Sequence, residues 1–236
     1  MVNKILDKLY DKYNLEEQDI QCITEIIEDI YNHPEFIKRC QKPYMHHDQT
    51  TLGEHILEDT IMTYILSLKY QDNNSYDLSI ALKIAMFHDL YTDPWQNTVY
   101  KTKFLNKHGF RHPLEAAVNA LTWYPEYFEH DIETLKILDG ILHHMYPLPV
   151  SIFDNISNKA ELINYKLVSN LSDYHKDLLY KLTSRGKLGM VSLSKSKYLE
   201  GRIVSKADKK VSINNYKGSK TGSITTLVSG KNKHLK

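Results

Sequence analysis

Along the first 150 residues, apolar side chains return every three or four positions, the spacing that gathers them on one side of an α-helix. Leu6, Leu9 and Tyr13 open the series. Ile20, Ile23, Ile26, Ile27 and Ile30 continue it until His33-Pro34 breaks the pattern. A further helix is predicted from Thr51, where Glu54 stands three residues on, as in a capping box. Leu57, Ile61, Ile65 and Leu68 then follow along it, and Asp72-Asn73-Asn74-Ser75 reads as a turn. The run Leu78–Phe87 is apolar nearly all round, with Lys83 its only charge, which predicts a helix at the centre of a helical core. Pro113–Trp123, with Pro113 in its first turn, and Asp131–His144, stopped by Pro147 and Pro149, are predicted as two more.

Beyond Ser151 the period weakens. Residues 160–173 and 175–182 read as helical, whereas 185–193 carries Gly186 and Gly189 and has no clear period. Leu199–Ile213 reads as a last helix. After Tyr216 apolar anchors are few, so 216–236 is expected to be a disordered tail, with 1–215 forming one domain. There is no internal repeat and no alternation of strand and helix. The expected class is therefore all-α, a helical bundle.

Charge narrows the partners. Lys plus Arg number 30 and Asp plus Glu 29, a net charge of +1, so neither a nucleic acid nor another polyanion is an expected partner. No apolar stretch approaches the ~20 residues that span a bilayer. The opening MVNKILDKLYDKY mixes charged with apolar residues, unlike a secretory signal. Only Cys22 and Cys40 are present, which fits a reduced, cytoplasmic setting better than a disulfide scaffold.

The candidate chemistry is an ordered series of histidines and aspartates. His55 lies in TTLGEHILEDT, His88-Asp89 in AMFHDLYTDPW, His112 in GFRHPLEAA, His144 in ILHHMYPL and Asp208 in VSKADKKVS. Imidazole and carboxylate donors suit Fe, Mn, Zn, Co or Ni. Because these residues fall on separate predicted helices, they can converge on one place. Adjacent residues on a helix point ~100° apart, so His88 can serve one ion while Asp89 turns to bridge two. One division places His55, His88, Asp89 and Asp208 on one ion, with His112 and His144 on the other. Two close ions acidify a water and clamp a phosphoryl group, which points to metal-assisted hydrolysis of a phosphate ester. His108, Arg111, Lys206 and Lys209 flank the ligand candidates and are the cations expected to hold phosphate oxygens.

These motifs resemble the HD-domain metal-dependent phosphohydrolases, a superfamily marked by H…HD…D ligands on a helical fold, and within it a group of small bacterial HD proteins. The segments that carry the resemblance are TLGEH (51–55), HDLYTDPW (88–95), HGFRHPLEAA (108–117), HMYPL (144–148) and ADK (207–209). It spans roughly 44–150 and 200–212 and implies His55, His88, Asp89, His112, His144 and Asp208 as ligands, with His144 preferred to His143. About sixty residues separate His144 from Asp208, more than the group has, so 151–195 is expected to be an insertion able to cap the site. Thr92 stands where the cyclic-di-GMP-cleaving relatives have a lysine, so the resemblance does not extend to that activity.

Blander roles stand beside these. His46 and His47 precede the first ligand helix and either close the site or are solvated. Asp93 is a candidate acid or orienting group, or simply caps a turn before Pro94. His175 is expected at the surface, and Trp95 and Trp123 in the core. The function expected is hydrolysis of a nucleotide or other small phosphate ester. Two alternatives remain at this point: a di-iron oxygenase of the same superfamily, which shares the six-ligand order, and a non-catalytic metal- or nucleotide-binding module.

Overall fold

Helix α1, Val2–Tyr13, ends where Asn14 takes the left-handed conformation (φ 50°, ψ 49°). Helix α2, Glu17–Asn32, runs to His33, whose side chain accepts from the Glu35 N–H and so caps α3, Pro34–Arg39. In this computed structural model, residues 1–46, 50–92, 108–129, 131–153, 168–189 and 191–217 are described, with side chains to 213. Thr51 caps α4, Leu52–Ser67, by accepting from the Glu54 N–H. The return half of the predicted box is replaced by an ion pair, as the Glu54 carboxylate reaches Lys8 at 3.0 Å. Asp77 caps α5, which has the predicted bounds Leu78–Phe87.

Helix α6, His108–Trp123, starts earlier than predicted, so Pro113 lies inside it rather than in its first turn. Pro113 has no N–H to give the Gly109 carbonyl, and a helix tolerates that loss when packing holds it on both sides. His112, Leu114, Ala117, Val118 and Leu121 are all buried here. Helix α7 is Asp131–His143. The weakly periodic stretch after it holds α8, Asp173–Ser184, and three two-residue strands: β1, Val150–Ser151; β2, Lys187–Leu188; and β3, Val191–Ser192. They form an antiparallel sheet in the order β1-β3-β2. Gly186 and Gly189 supply positive φ (69° and 63°) around β2, the backbone role that left no apolar period to read. Helix α9, Leu199–Lys217, closes the chain's described part.

The fold is predominantly all-α. Helix α4 is the axis, packed by α9 and α5 and flanked by α1 and α3, while α5 also meets α7 and α2. Leu52, Ile56, Leu57 and Ile61 of α4, Leu82, Ile84 and Phe87 of α5, and Val204 of α9 are all sealed from solvent. Each such side chain contributes about 1.5–3 kcal/mol by leaving water. Two helix crossings are close enough to require glycine. A Cβ on Gly53 would lie 2.3 Å from Cys40 Sγ, and one on Gly201 would lie 2.7 Å from the Gly140 Cα. The second contact sets α9 tightly against α7. No helix among the described residues is long and apolar enough to cross a membrane.

Candidate metal centre

The centre of this packing is polar. His55, Asp59, His88, Asp89, His112, His144 and Asp208 are all buried. His55 and Asp59 lie one turn apart on α4 and share a face. His88 caps the C-terminus of α5 and Asp89 follows it. His112 comes from α6, His144 from the end of α7 and Asp208 from α9.

Asp89 divides the cluster. Its Oδ2 lies 3.5 Å from His55 Nε2 and 3.9 Å from His88 Nε2, while its Oδ1 lies 3.2 Å from His112 Nε2 and 3.7 Å from His144 Nε2. On the first side, Asp59 Oδ2 stands 3.2 Å from His55 Nε2 and 3.1 Å from His88 Nε2, and Asp208 Oδ1 stands 3.8 Å from His55 Nε2. His55, Asp59, His88 and Asp208 each bring one donor atom within 4.8 Å of the others'. His88, Asp89 and His144 do so too, as do His46, His55 and Asp89. Such His and Asp groups can hold a divalent metal ion.

The hydrogen bonds around the imidazoles fit that use. Nδ1 of His88 lies 2.6 Å from the Ala85 carbonyl, Nδ1 of His112 3.0 Å from that of His108, and Nδ1 of His144 2.7 Å from that of Ile141. A ring that donates through Nδ1 turns a lone pair at Nε2 inward, the state in which histidine binds metal. His112 Nε2 and His144 Nε2 are only 3.1 Å apart, both beside Asp89 Oδ1. Lone pairs and a carboxylate oxygen at that range repel unless positive charge lies among them. Asp59 Oδ1 and Oδ2, His88 Nε2 and Asp89 Oδ1 are buried and make no hydrogen bond to the described residues.

Electrostatics point the same way. Burial opposes charge on His55, but Asp59 first, then Asp89 and Asp208, outweigh it and lift its pKa to about 9. His88 is lifted to about 10 against burial by Asp89, Asp59 and Asp208. Burial would raise Asp89, yet His88, His112, His55 and His46 hold it well below the usual carboxylate range. Burial raises Asp59 and, with charge on His88 and His112, keeps His144 neutral. The charges of the cluster's carboxylates and imidazoles are thus interdependent, and the group is compatible with a divalent metal ion.

The loop after His88-Asp89 is held from outside. Arg39 is fully buried and donates through Nε and Nη2 to the Tyr91 carbonyl at 2.9 and 2.7 Å. From α6, Asn119 Nδ2 donates to the Leu90 carbonyl at 2.6 Å, and Glu115 accepts from the Thr92 N–H at 2.8 Å. On α9, Ser205 and Lys209 both donate to the His144 carbonyl, at 2.5 and 3.1 Å.

The flanking candidates have separate fates. His108 is buried, stacked on His112 and edge-on to Tyr91. Arg111 lies 3.4 Å from Glu115 on its own helix. Lys209 is spent on backbone carbonyls and hydroxyl oxygen, and burial lowers its pKa. Lys206 is exposed and lines a surface pocket with Leu66, Lys69 and Tyr70, away from the cluster. His46 stacks on His55 with ring centres 3.8 Å apart and lies 3.3 Å from the Tyr91 hydroxyl. His143 turns to Asp139 and its neighbour Arg185. Asp93, His47, Trp95, residues 160–167 and the tail 218–236 lie outside the described residues.

Sequence reading missed Asp59, Arg39, Glu115 and Asn119. Three of them had a positional signal: Asp59 is four residues after His55, and Glu115 and Asn119 are three and seven after His112, so each shares a helix face with a ligand candidate. Arg39 had none. Compared with protein-family models, curated proteins and solved structures, the chain finds no match. What stands is a predominantly helical protein with a buried histidine–aspartate cluster compatible with a divalent metal ion.

Proposed function

We propose that this chain is a metal-dependent phosphohydrolase of the HD type, with residues 1–215 as its domain, acting on a nucleotide or other small phosphate ester. The observation that carries the reading is the split at Asp89, whose two oxygens face two separate groups of imidazoles. That arrangement suits a carboxylate shared by two ions. In the proposed assignment, His55, His88 and Asp208 would hold one ion and His112 and His144 the other, with Asp89 available to both. When bound, a pair of divalent ions lowers the pKa of a water and neutralises charge on a phosphoryl group.

The protein's own groups do the rest. The Nδ1 contacts orient each ring, and the Arg39, Glu115 and Asn119 contacts hold the loop that carries Asp89. His108 and His46, stacked on His112 and His55, are the imidazoles we assign to meet substrate oxygens. No side-chain nucleophile is required.

The test is phosphate release from a panel of nucleotides and nitrophenyl phosphate mono- and diesters, run without oxygen, with Mn²⁺, Co²⁺, Ni²⁺ or Fe²⁺. Turnover is expected with at least one ion, abolished by chelation and lost in His88→Ala. A metal-loaded protein that releases no phosphate across the panel contradicts the proposal, as does a reaction that proceeds only with oxygen.

A further inference from the structure

We propose that Asp59 is a ligand of the same centre, and that with it the His55–His88 side takes up its ion ahead of the His112–His144 side. The inference rests on the two-ion reading above and adds a residue that reading does not use. Asp59 is fully buried, one turn beyond His55 on α4, with Oδ2 aimed between His55 Nε2 and His88 Nε2 at 3.2 and 3.1 Å. Neither of its oxygens makes a hydrogen bond to the described residues. An unneutralised carboxylate in that position is strongly disfavoured.

Its neighbour in sequence shows the contrast. Glu58 accepts from the Tyr13 hydroxyl at 2.6 Å and pairs with Lys12. Among the described residues, no lysine or arginine pairs with Asp59; only imidazoles do. His88 commits Nδ1 to the Ala85 carbonyl, which leaves Nε2 facing Asp59 as the position that takes either a proton or a metal ion. A divalent ion there would displace the proton and meet both donors.

Donor balance then sets the order of filling. With Asp59, the first side offers two imidazoles, the carboxylates of Asp59 and Asp208, and one oxygen of Asp89. The second side offers two imidazoles and the other Asp89 oxygen. More donors and more negative charge hold an ion more tightly. A side with fewer protein ligands keeps positions for water or substrate oxygen.

The experiment titrates Mn²⁺ into metal-free wild type and Asp59→Asn, reading free ion by electron paramagnetic resonance. Wild type is expected to bind in two phases. In the variant the tighter phase weakens by at least the ~10–100-fold that losing a ligand-orienting neighbour costs, while the weaker phase stays. Two ions bound to Asp59→Asn with wild-type affinities overturn this inference and leave the two-ion reading standing. A wild type that binds no ion overturns both. Because asparagine at a buried site can disturb folding, a second measurement uses wild type: anomalous scattering from crystals grown with Mn²⁺. An Asp59 oxygen at ligand distance, about 2.0–2.2 Å, is expected. An Asp59 carboxylate turned away from the ion overturns the inference.

Discussion

Arg39 shows how much of the centre depends on a residue far from it in sequence. Its guanidinium is sealed from solvent, bonds the Tyr91 carbonyl twice, pairs with Glu35 at 2.9 Å and stacks 4.3 Å from the Trp123 ring. Arg39→Met removes the donors and leaves a buried carbonyl unsatisfied. Loss of about 1–3 kcal/mol of stability is expected, with weaker metal uptake, read by urea unfolding and Mn²⁺ titration. Arg39→Lys cannot make the paired contact and is expected to fall between the two. Unchanged stability in both variants contradicts the positioning role.

The histidines give a second residue-scale prediction. With pKa values of about 9 and 10, His55 and His88 carry protons at neutral pH in the metal-free protein. A metal ion must displace them, so uptake near pH 7.5 is expected to release about two protons on the first side. Calorimetry in buffers of different ionisation enthalpy measures this, and a binding heat independent of buffer contradicts it. The sign for stability follows. Both pKa values are raised above the ordinary 6.5, so this contribution in the metal-free protein is fully present below about pH 6.5 and is lost as pH rises through 9–10.

At the same scale, the candidate ligands on His88-Asp89, His55, His112, His144 and Asp208 are legible because uncommon residue types stand in order within informative flanks. Asp59 is not, because the stretch Ile56-Leu57-Glu58-Asp59-Thr60 carries two acids, and only the fold shows that Glu58 turns to Lys12 and Asp59 to the imidazoles. Arg39 stands beside Lys38 in KRC, and nothing in the chain distinguishes it from a solvated basic residue.

Among the elements, apolar period read α5 to its ends and α4 closely, since each has a face or a whole surface that must leave water, but it ran α1 and α2 together through the break that the left-handed Asn14 makes between them. It failed at α6, where Pro113 suggested a start that packing overrides, and in the segment 185–193, where backbone turns rather than side chains shape a hairpin. That hairpin is attached to α7 by Arg185, whose Nη1 lies 2.6 Å from the buried Asp139. Burial opposes charge on Asp139, but bonds from His143 and Ser196 and the charge of Arg185 hold its pKa down. No periodicity announces such a link. The α7–α9 crossing is the element whose fit is most easily tested. Gly201→Ala puts a methyl group 2.7 Å from the Gly140 Cα. A loss of about 1–3 kcal/mol is expected from overpacking, measured by thermal unfolding. Because α9 carries Asp208, Ser205 and Lys209, weaker metal binding should accompany it. Wild-type stability and affinity together contradict the close crossing.

For the whole molecule, the polar centre is set where α4, α5, α6, α7 and α9 meet, so metal binding in the proposed centre would be coupled to folding. The carboxylates of Asp59, Asp89 and Asp208 are gathered in the interior, and a divalent ion that binds only the folded chain adds its binding free energy to stability. At a free-ion concentration one hundred times the dissociation constant the gain is about 2.7 kcal/mol. A metal-stripped sample is therefore expected to melt at a lower temperature and to recover on adding Mn²⁺ or Co²⁺. A melting temperature indifferent to both ions contradicts the coupling.

The central claim is that Asp89 joins two ions in one centre. Equilibrium dialysis against Mn²⁺, with metal and protein quantified for wild type and Asp89→Ala, tests it most directly. Two ions per chain are expected in wild type and no more than one in the variant. Two ions retained by Asp89→Ala, or none bound by the wild type, would contradict it.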